Sequence, residues 1–489
     1  MKLIERKRYL EKLISTINTP DIKVITGIRR SGKSKLLELF IEYIKTHIEK
    51  ANVIHINFNL MKYDSLRTAA SLNEYAENNY KAGVENFLLI DEVQMCEDFE
   101  RVVNSLHASE NFHIYITGSN AFLLSSDLAT LFTGRTFEVK VFPFSFSEYL
   151  EYFTEKDIQK DFDDYVRFGG MAGSYLYQTE NEKYSYIADV FKTLIVRDIQ
   201  QKYKIRNTNL LSKLTDFLLD NISSEVSTHS IANTLTSSKE KTNNKTISTY
   251  LKYLCNSFAF YKVRRYDIRG KKYLSSQDKY YLADHSFKYA LLGTKNLDYG
   301  RIYENIVAVE LLRRGYELYA GVLYKKEVDF VAIKQNEKLY IQVSDDISLE
   351  NTFERYKIVS STSTVDMLIR FQGIQSTILS KITNGEYDKL YSDDTYINKI
   401  IYLNKIYNKY NLSNQENKPM INILQFELEN TLPKFMKCFN TDELKEIFSV
   451  LSNLIDSNDV NLRKATKALL QKFMDLNLIV FNKYKGDKK

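Results

Sequence analysis

The stretch Gly27-Ile28-Arg29-Arg30-Ser31-Gly32-Lys33-Ser34 decides how the first part of this 489-residue chain folds. It matches the pattern G-x-x-x-x-G-K-[ST], a loop whose backbone N–H groups turn inward around phosphate oxygens. An apolar run ending at Ile25 precedes the loop, and a helical apolar pattern over residues 36–40 follows it. These patterns predict a strand, a phosphate-binding loop and a helix. A strand-to-helix turn with a chance Gly-Lys-Ser is the alternative, and the flanking patterns disfavour it.

Each residue type in this loop suits a bound triphosphate. Gly27 and Gly32 permit the tight backbone turn, and the N-terminus of the following helix favours negative charge. Lys33 is expected to contact the β- and γ-phosphates, and Ser34 is expected to hold Mg²⁺. Two further residues complete the predicted set, Arg30 and Ser31, although an arginine here suits either phosphate or solvent. The sequence therefore predicts a site for ATP and Mg²⁺.

The composition is that of a globular protein. Hydrophobic residues make up 44% of the chain and the net charge is +6, so we expect about three domains and a charge that permits nucleic-acid binding without establishing it. No apolar run approaches the roughly 18 residues of a membrane span, and the first residues lack the apolar region of a signal peptide. The scattered cysteines and histidines argue against a disulfide framework or a structural zinc. A cytoplasmic protein without a membrane partner is expected.

Strand and helix patterns alternate through residues 1–143, which predicts an α/β fold with a parallel sheet. In Leu89-Ile90-Asp91-Glu92, the acids follow a buried strand, where ligands bind in open α/β sheets. Asp91 is suited to Mg²⁺, and Glu92 is suited to polarise the attacking water. A solvated strand end is the alternative, but the position after a phosphate loop favours catalysis. Asn120, after the next strand, is a candidate contact to the γ-phosphate or the water.

The runs TGIRRSGKS, LLIDEVQ, TGSNAFLLSSDLATLFTGRTFEVKVFPFSFSEYL and YVRFGG resemble a family of prokaryotic AAA-type (P-loop) ATPases. These proteins join an N-terminal ATPase core to a winged helix and a restriction-endonuclease-like C-terminal domain. The resemblance implies that Arg135 fills the arginine-finger position, where a guanidinium offsets charge that develops on the γ-phosphate. A surface arginine is the alternative, and the sequence leaves open whether such a finger acts in its own subunit or in a neighbouring one.

Helical patterns replace strand patterns after residue 143. They predict a helical lid at 144–205, with Gly169-Gly170 as a helix end or hinge, and a winged helix at 206–290. The helix predicted at 246–258 would enter a DNA major groove, and a basic hairpin would form the wing. The basic residues of this hairpin are Lys262, Arg264, Arg265, Arg269, Lys271 and Lys272. DNA is therefore a candidate partner, with a solvated face or an interdomain joint as the alternatives.

Residues 291–360 resemble the core of the restriction-endonuclease fold. An active nuclease of this kind gathers Glu304, Asp329 and Gln342 around Mg²⁺ and has a lysine two residues after the third position. This chain has Ser344 there, which cannot supply the cation. A substitute would have to come from among Lys325, Lys326 and Lys338. We expect a degenerate α/β domain that serves as a DNA or protein platform.

Residues 361–489 show a helical pattern, with stripes at 369–382, 396–410 and 441–455. Such stripes are more often core than interface, and a protein partner for this tail is the alternative. The sequence as a whole predicts an ATPase whose nucleotide state moves the winged-helix and nuclease-like domains. An ATP-switched DNA-binding protein is the main alternative, and an ATP-regulated nuclease is the less favoured one. A finger acting between subunits would make the protein a homo-oligomer.

Overall fold

The fold was analysed in a computed structural model. It describes residues 3–118, 132, 134–153, 157–237, 242–268, 272–294, 298–323, 326–335, 337–344, 366–370, 451, 454–455 and 460–475. The chain divides into two compact units. Unit 1 comprises Met1–Val263 and Ser275–Gly315, and unit 2 comprises Arg264–Leu274 and Tyr316–Lys489.

Unit 1 begins with a parallel sheet in the strand order β2-β3-β4-β1-β5. Its strands are β1 (Ile22–Thr26), β2 (Ala51–Asn57), β3 (Glu85–Asp91), β4 (His113–Thr117) and β5 (Thr136–Lys140). The α/β fold with a parallel sheet is thereby confirmed. Because β1 lies between β4 and β5, the loop that follows it opens at the C-terminal edge of the sheet, next to the end of β4.

Helices cover both faces of this sheet. They are α1 (Lys7–Ser15), α2 (Lys33–His47), α3 (Ala69–Asn78) and α4 (Phe99–Ala108), and short 3₁₀ turns span Met61–Leu66 and Val93–Met95. Alternate residues of β3 enter two separate cores. Leu88 and Ile90 pack with α3 and α4, whereas Phe87 and Leu89 pack with α1 and α2. This double burial explains why β3 is a continuous apolar run and not an alternating one.

A helical region follows the sheet. It contains α5 (Phe146–Tyr152), α6 (Ile158–Phe168), a 3₁₀ turn (Ala172–Leu176), α7 (Glu180–Thr193) and a π-helix (Leu194–Gln201). The last two of these are consecutive segments of different winding, within the helical lid predicted at 144–205. Capping boxes fix the starts of α5 and α7, with Ser145 pairing with Glu148 and Thr179 with Glu182.

The remainder of unit 1 mixes helices with short strands. Its elements are α8 (Thr208–Asp220), β6 (Glu225–Val226), α9 (Thr228–Ser237), α10 (Asn244–Asn256), β7 (Phe260–Asp267), β8 (Lys272–Leu282), α11 (Ser286–Leu292) and α12 (Tyr299–Arg313). The pair Glu225–Val226 is antiparallel to β8. The first residues of β7 and the last residues of β8 belong to unit 1, and the rest of both strands belongs to unit 2.

Unit 2 is built on β9 (Glu317–Leu323), β10 (Lys326–Lys334), β11 (Glu337–Ser344), β12 (Asp366–Arg370) and the helix α13 (Val460–Asp475). The strands β9, β10 and β11 pair antiparallel in turn, while β12 runs parallel to β11. Residues 264–267 of β7 pair in parallel with β9. Val328 and Val331 of β10 pack on Tyr266 and Ile268, which forms a small apolar core within this unit.

Two sequence predictions differ from this structure. The helix predicted from Ile369 is wrong at its start, because Asp366–Arg370 is a strand held by its pairing with β11, so the region 361–489 is not wholly helical. The boundary predicted at residue 290 also differs from the compact units, since unit 1 extends to Gly315. Most of the other helices predicted in the tail lie outside the described residues. Within the described ranges, no helix combines the length and hydropathy needed to cross a bilayer.

Candidate functional site

The loop between β1 and α2 adopts backbone conformations that its glycines make possible. Gly27 has a φ of 144°, and a Cβ added there would lie 2.1 Å from the carbonyl oxygen of Val141. Gly32 has a φ of 93° and caps α2 without any side-chain hydrogen bond. The first N–H groups of a helix have no partner within the helix. They are therefore available to an anion, as the sequence pattern predicts.

This loop lies on a pocket of about 830 Å³ in unit 1. Its charged and hydroxyl lining includes Arg29, Arg30, Lys33, Ser34, Glu92 and Arg197. Its apolar and aromatic lining includes Leu3, Ile4, Leu39, Leu176, Tyr177 and Tyr186. Leu3, Leu176 and Tyr177 are 48%, 53% and 40% exposed. The pocket thus combines cations suited to phosphate with apolar surface suited to a nucleobase.

Lys33 is held at the centre of the loop. Its side chain is buried, and Nζ donates hydrogen bonds to the carbonyl oxygens of Gly27 at 2.9 Å and Ile28 at 3.1 Å. Burial lowers the pKa of Lys33, and the nearby carboxylates of Glu92 and Asp91 partly offset this effect. The carboxylates of Glu92 and Asp91 thus favour the charged form of Lys33, which the loop surrounds.

Thr117, the last residue of β4, positions the acid pair Asp91-Glu92 at the end of β3. The Thr117 hydroxyl donates to Oδ1 of Asp91 and accepts the backbone N–H of Glu92 at 3.2 Å. Glu92 has a φ of 59°, and its carboxylate accepts a hydrogen bond from the side chain of Gln94. Asp91 is 1% exposed, whereas Glu92 lines the pocket. One threonine therefore contacts both the predicted Mg²⁺ ligand, Asp91, and the predicted catalytic base, Glu92.

Ser31 and Ser34 bear on whether ATP and Mg²⁺ fit this site. The Ser31 hydroxyl is buried and has no hydrogen-bond partner, so a polar ligand would satisfy it. Ser34 offers a hydroxyl oxygen, and Asp91 offers a carboxylate near Lys33. Hard oxygen ligands of this type suit Mg²⁺, which also takes oxygens from substrate phosphates. The residues present fit both groups.

Arg6 also lines the pocket and contacts the loop, and the sequence did not predict it. Its guanidinium donates to the carbonyl oxygens of Ser31 at 2.6 Å and Phe142 at 2.9 Å, and it forms an ion pair with Glu148 at 2.7 Å. Burial alone would lower the pKa of Arg6, but Glu148 more than compensates and the pKa is raised. A buried cation with all these partners fixes the loop relative to α5.

The π-helix supplies two further residues that sequence analysis missed. Asp198 forms an ion pair with Arg29 of the phosphate loop, and the adjacent Arg197 lines the pocket. Segments of π-helix are rare and often occur at functional sites. The only local signal was an Arg-Asp pair within a helical pattern, which is common on protein surfaces. The Arg29–Asp198 pair joins residues that are 169 positions apart in the chain.

One of the predicted catalytic residues, Arg135, lies away from the pocket. The Arg135 carbonyl oxygen accepts a hydrogen bond from Ile22 N at 2.8 Å, at the start of β1. The loop leaves the other end of β1, roughly 16 Å away at about 3.3 Å per residue. Arg135 therefore cannot act as a finger in its own pocket, and only action in a neighbouring subunit stays a prediction. Asn120 lies outside the described residues.

Two of the three nuclease-like residues, Asp329 and Gln342, contact each other, and Glu304 has partners of its own. In unit 1, Glu304 accepts hydrogen bonds from Lys279 Nζ at 2.8 Å and the Tyr281 hydroxyl at 2.6 Å. In unit 2, Oδ2 of Asp329 accepts from Gln342 Nε2 at 2.6 Å and from the Val343 backbone at 2.8 Å. Lys338 donates to the Tyr266 hydroxyl at 2.8 Å, and Lys325 lies outside the described residues. Each acid is thus held by two hydrogen bonds from neighbouring groups.

Comparisons with known proteins place the phosphate loop within an AAA domain. The model of an AAA-domain family matches residues 19–150, and that of a domain of unknown function matches residues 159–298. An uncharacterised Haemophilus influenzae protein is 39% identical over 358 residues, which cover 72% of this chain and 89% of the relative. An uncharacterised Methanocaldococcus jannaschii protein is 29% identical, over 68% of this chain and 76% of the relative.

Solved structures give more distant similarities. A Walker-type ATPase of Pyrococcus abyssi has a TM-score of 0.43 at 17% identity, covering 59% of this chain and 96% of that chain. The AMPPCP-bound DnaA of Aquifex aeolicus has a TM-score of 0.29 at 17% identity, covering 52% of this chain and 89% of that chain.

Proposed function

The chain belongs to one family with the uncharacterised Haemophilus influenzae protein, and its residues 19–150 match the AAA-domain model; from this premise we propose that it binds ATP and hydrolyses it in an Mg²⁺-dependent reaction. The observation that carries the proposal is the meeting of Lys33, Ser34 and Glu92 on one pocket. A binding loop alone supports nucleotide binding. A carboxylate facing the same pocket adds the group that hydrolysis needs.

The chemistry assigned to this chain is mainly electrostatic. The loop N–H groups and Lys33 hold the β- and γ-phosphates, and Arg197 adds a second cation from the π-helix. Ser34 and Asp91 would hold Mg²⁺, which when bound offsets charge on the phosphate oxygens. Glu92 orients the attacking water and accepts its proton. Thr117 keeps both acids in place through the two hydrogen bonds described above.

ATP binding and phosphate release by the full-length protein test this proposal. We expect Mg²⁺-dependent release by the wild type, and Lys33→Ala should weaken ATP binding by at least about tenfold, since a charge-assisted contact is lost. Lys45→Ala, at an exposed position on the same helix, is the matched control and should leave binding unchanged. Wild-type affinity in Lys33→Ala would remove Lys33 from the site.

We further propose that the nucleotide state moves a winged helix formed by residues 208–282. The order of elements supports this, since α8, β6, α9, α10, β7 and β8 follow one another as helix, strand, two helices and two strands. The helix α10 occupies the recognition position of such a fold. The whole of α10 belongs to unit 1, which also contains the pocket.

DNA binding is a second candidate function, and exposure on α10 favours it. Lys245, Ser248 and Lys252 are exposed with the spacing of one helix face. Against it, Lys262 of the predicted wing is paired with Asp278 at 2.7 Å. Binding of duplex DNA over a range of salt concentrations tests the idea. A salt-dependent affinity that falls in Lys245→Ala/Lys252→Ala supports it, and salt-independent or undetectable binding removes it.

A further inference from the structure

The pair Gly169-Gly170 forms a tight strap beside the pocket. Gly170 lines the pocket, and a Cβ added there would lie 2.1 Å from the carbonyl oxygen of Phe144. Gly169 has a φ of 64° and ends α6. Its carbonyl oxygen accepts a hydrogen bond from the Tyr175 hydroxyl at 2.7 Å. The strap is thus fixed on several sides and leaves no room for side chains.

One carboxylate holds this strap, and it comes from a distant part of the chain. Asp284 follows β8 and is 3% exposed. Its Oδ2 accepts the backbone N–H of Gly170 at 2.7 Å, and its Oδ1 accepts the backbone N–H of Ser286 at 3.0 Å together with the Ser286 hydroxyl. A Cβ on Gly169 would lie 2.0 Å from Oδ1. The carboxylate therefore joins the pocket strap directly to the start of α11.

From the strap, contacts continue to the phosphate loop. The Phe144 backbone N–H donates to the Gly170 carbonyl oxygen at 2.8 Å. The Phe144 ring lies 5.0 Å below the Arg6 guanidinium, which in turn binds the Ser31 carbonyl oxygen. Gly170 is therefore two contacts away from the residues that hold the phosphate loop.

A second series of contacts runs from Asp284 through α11 to α7, the helix that precedes Arg197 in the chain. Phe287 of α11 packs on Phe191 of α7, with ring centroids 4.9 Å apart. The π-helix that carries Arg197 continues directly from α7. Asp284 thus lies where the end of β8 meets two walls of the pocket. One wall is the strap, and the other is the helix that presents Arg197.

We propose that Asp284 is a positioning residue that couples nucleotide binding to the segment 283–292, which directly follows the proposed winged helix. The carboxylate holds Gly170 in the conformation that the nucleotide contacts, so that a bound nucleotide stabilises the Asp284 contacts in return. Coupling of this kind is reciprocal. If the segment raises the affinity for nucleotide, bound nucleotide stabilises the segment to the same extent. This inference rests on the proposed ATP binding and identifies the contacts that connect the ATP pocket to the segment 283–292.

Asp284→Asn is the variant that tests it. The amide keeps the shape of the carboxylate but replaces one acceptor oxygen with a donor NH₂. In either orientation, the NH₂ faces the backbone N–H of Gly170 or that of Ser286, so one buried donor loses its partner. We expect the Kd of the full-length protein for a fluorescent, non-hydrolysable ATP analogue with Mg²⁺ to rise about five- to tenfold, within the usual range of such couplings.

Hydrogen exchange supplies the readout that a merely structural residue would not move. In the wild type, the analogue should slow amide exchange at 283–292 as well as at the phosphate loop. In Asp284→Asn at saturating analogue, the loop should still be protected, and the protection of 283–292 should be lost. The wild-type comparison needs no variant, so the proposal can fail even if Asp284→Asn does not fold. Unchanged exchange at 283–292 in the wild type overturns it.

Two control variants separate the Gly170 contact from general loosening. Ser286→Ala removes a hydroxyl donor to the same carboxylate and leaves the Gly170 bond, so the Kd should change less than about twofold. Asp298→Asn makes the same substitution at the exposed cap of α12, where the side chain accepts from Arg301 N at 3.3 Å, and it should change neither readout. A wild-type Kd in Asp284→Asn, or an equal rise in Ser286→Ala, overturns the proposal. A wild type that binds no analogue contradicts the proposed function itself, which is a different result.

Discussion

Arg29 of the phosphate loop and Asp198 of the π-helix form an ion pair, with Nη2 of the arginine 3.2 Å from Oδ1 of the carboxylate. The Asp198 side chain is 6% exposed and that of Arg29 is 24% exposed, so solvent screens the pair only in part. The pair ties the loop to the segment that presents Arg197 to the pocket. Loop and helical region therefore act on the nucleotide as connected parts.

The Arg29–Asp198 pair should contribute to nucleotide affinity as a unit. We expect Arg29→Gln and Asp198→Asn each to weaken ATP binding, and the double variant to be less impaired than the sum, with a coupling of about 1 kcal/mol. The reason is that either single change already releases the loop from the π-helix. Titration of ATP into the four proteins measures this cycle. If the losses of ATP-binding free energy in the two single variants simply add up in the double variant, the ion pair itself does not contribute to ATP binding.

Arg197 should recognise phosphate rather than the nucleoside. We expect Arg197→Ala to lower the affinity for ATP by about tenfold or more and the affinity for adenosine hardly at all, because only the phosphates carry negative charge that can pair with the guanidinium. Competition titrations with ATP and adenosine measure the difference. Arg206→Ala, at an exposed position just beyond the π-helix, is the control. Equal losses of affinity for ATP and adenosine would show that Arg197 stabilises the fold and does not recognise phosphate.

The Arg6–Glu148 pair should make stability depend on pH. Burial alone would raise the pKa of Glu148, but the charge of Arg6 and its hydrogen bond outweigh burial, and the pKa lies below its ordinary value of 4.5. A lowered folded-state pKa stabilises the protein above the ordinary value, and this stabilisation is lost as the pH falls through the folded pKa. Glu148→Gln should therefore cost about 3 kcal/mol near neutral pH and progressively less below about pH 4.

Urea denaturation of wild type and variant across this pH range measures that difference. Glu38→Gln is the control, since Glu38 pairs with Lys35 on the exposed face of α2 and both side chains are about half exposed. Its effect should stay near zero at every pH. A pH-independent cost for Glu148→Gln would mean that packing, and not charge, accounts for the role of Glu148.

Arg135 should matter only between subunits, since its own pocket is at the opposite edge of the sheet. We expect Lys33→Ala and Arg135→Ala each to lose ATP hydrolysis and an equimolar mixture to regain part of it. In a mixed oligomer, an Arg135→Ala subunit offers an intact pocket and a Lys33→Ala neighbour offers an intact finger. Phosphate release from the mixture, together with sizing, measures this. No recovery in mixtures shown to exchange subunits would contradict the role of Arg135.

Local patterns in the sequence were enough to predict the sheet, the loop and the acid pair. The loop lies between β1 and α2 as its flanking patterns predict, and Asp91 ends β3 because a parallel strand buried on both faces is a continuous apolar run. These features depend on residues that are neighbours in the chain. They are therefore visible without knowledge of the tertiary fold.

The remaining site residues depend on tertiary contacts. Arg6 reaches the loop from 25 residues away and Asp198 from 169 residues away, and nothing near either residue in sequence marks it as functional. The error at Ile369 has a related cause. A short apolar run does not distinguish a helix from a strand, and Asp366–Arg370 is a strand because β11 offers it hydrogen-bonding partners.

The most direct test of the account is ATP binding and turnover by Glu92→Gln. Glu92 is proposed to act on the attacking water and not on the nucleotide, because Glu92 lines the pocket next to the end of β3 while the phosphate loop follows β1. We therefore predict an ATP affinity close to that of the wild type and a turnover rate at least about 100-fold lower in the presence of Mg²⁺. Hydrolysis at the wild-type rate by a variant that still binds ATP would contradict the assignment of this pocket as the hydrolytic site with Glu92 as its base.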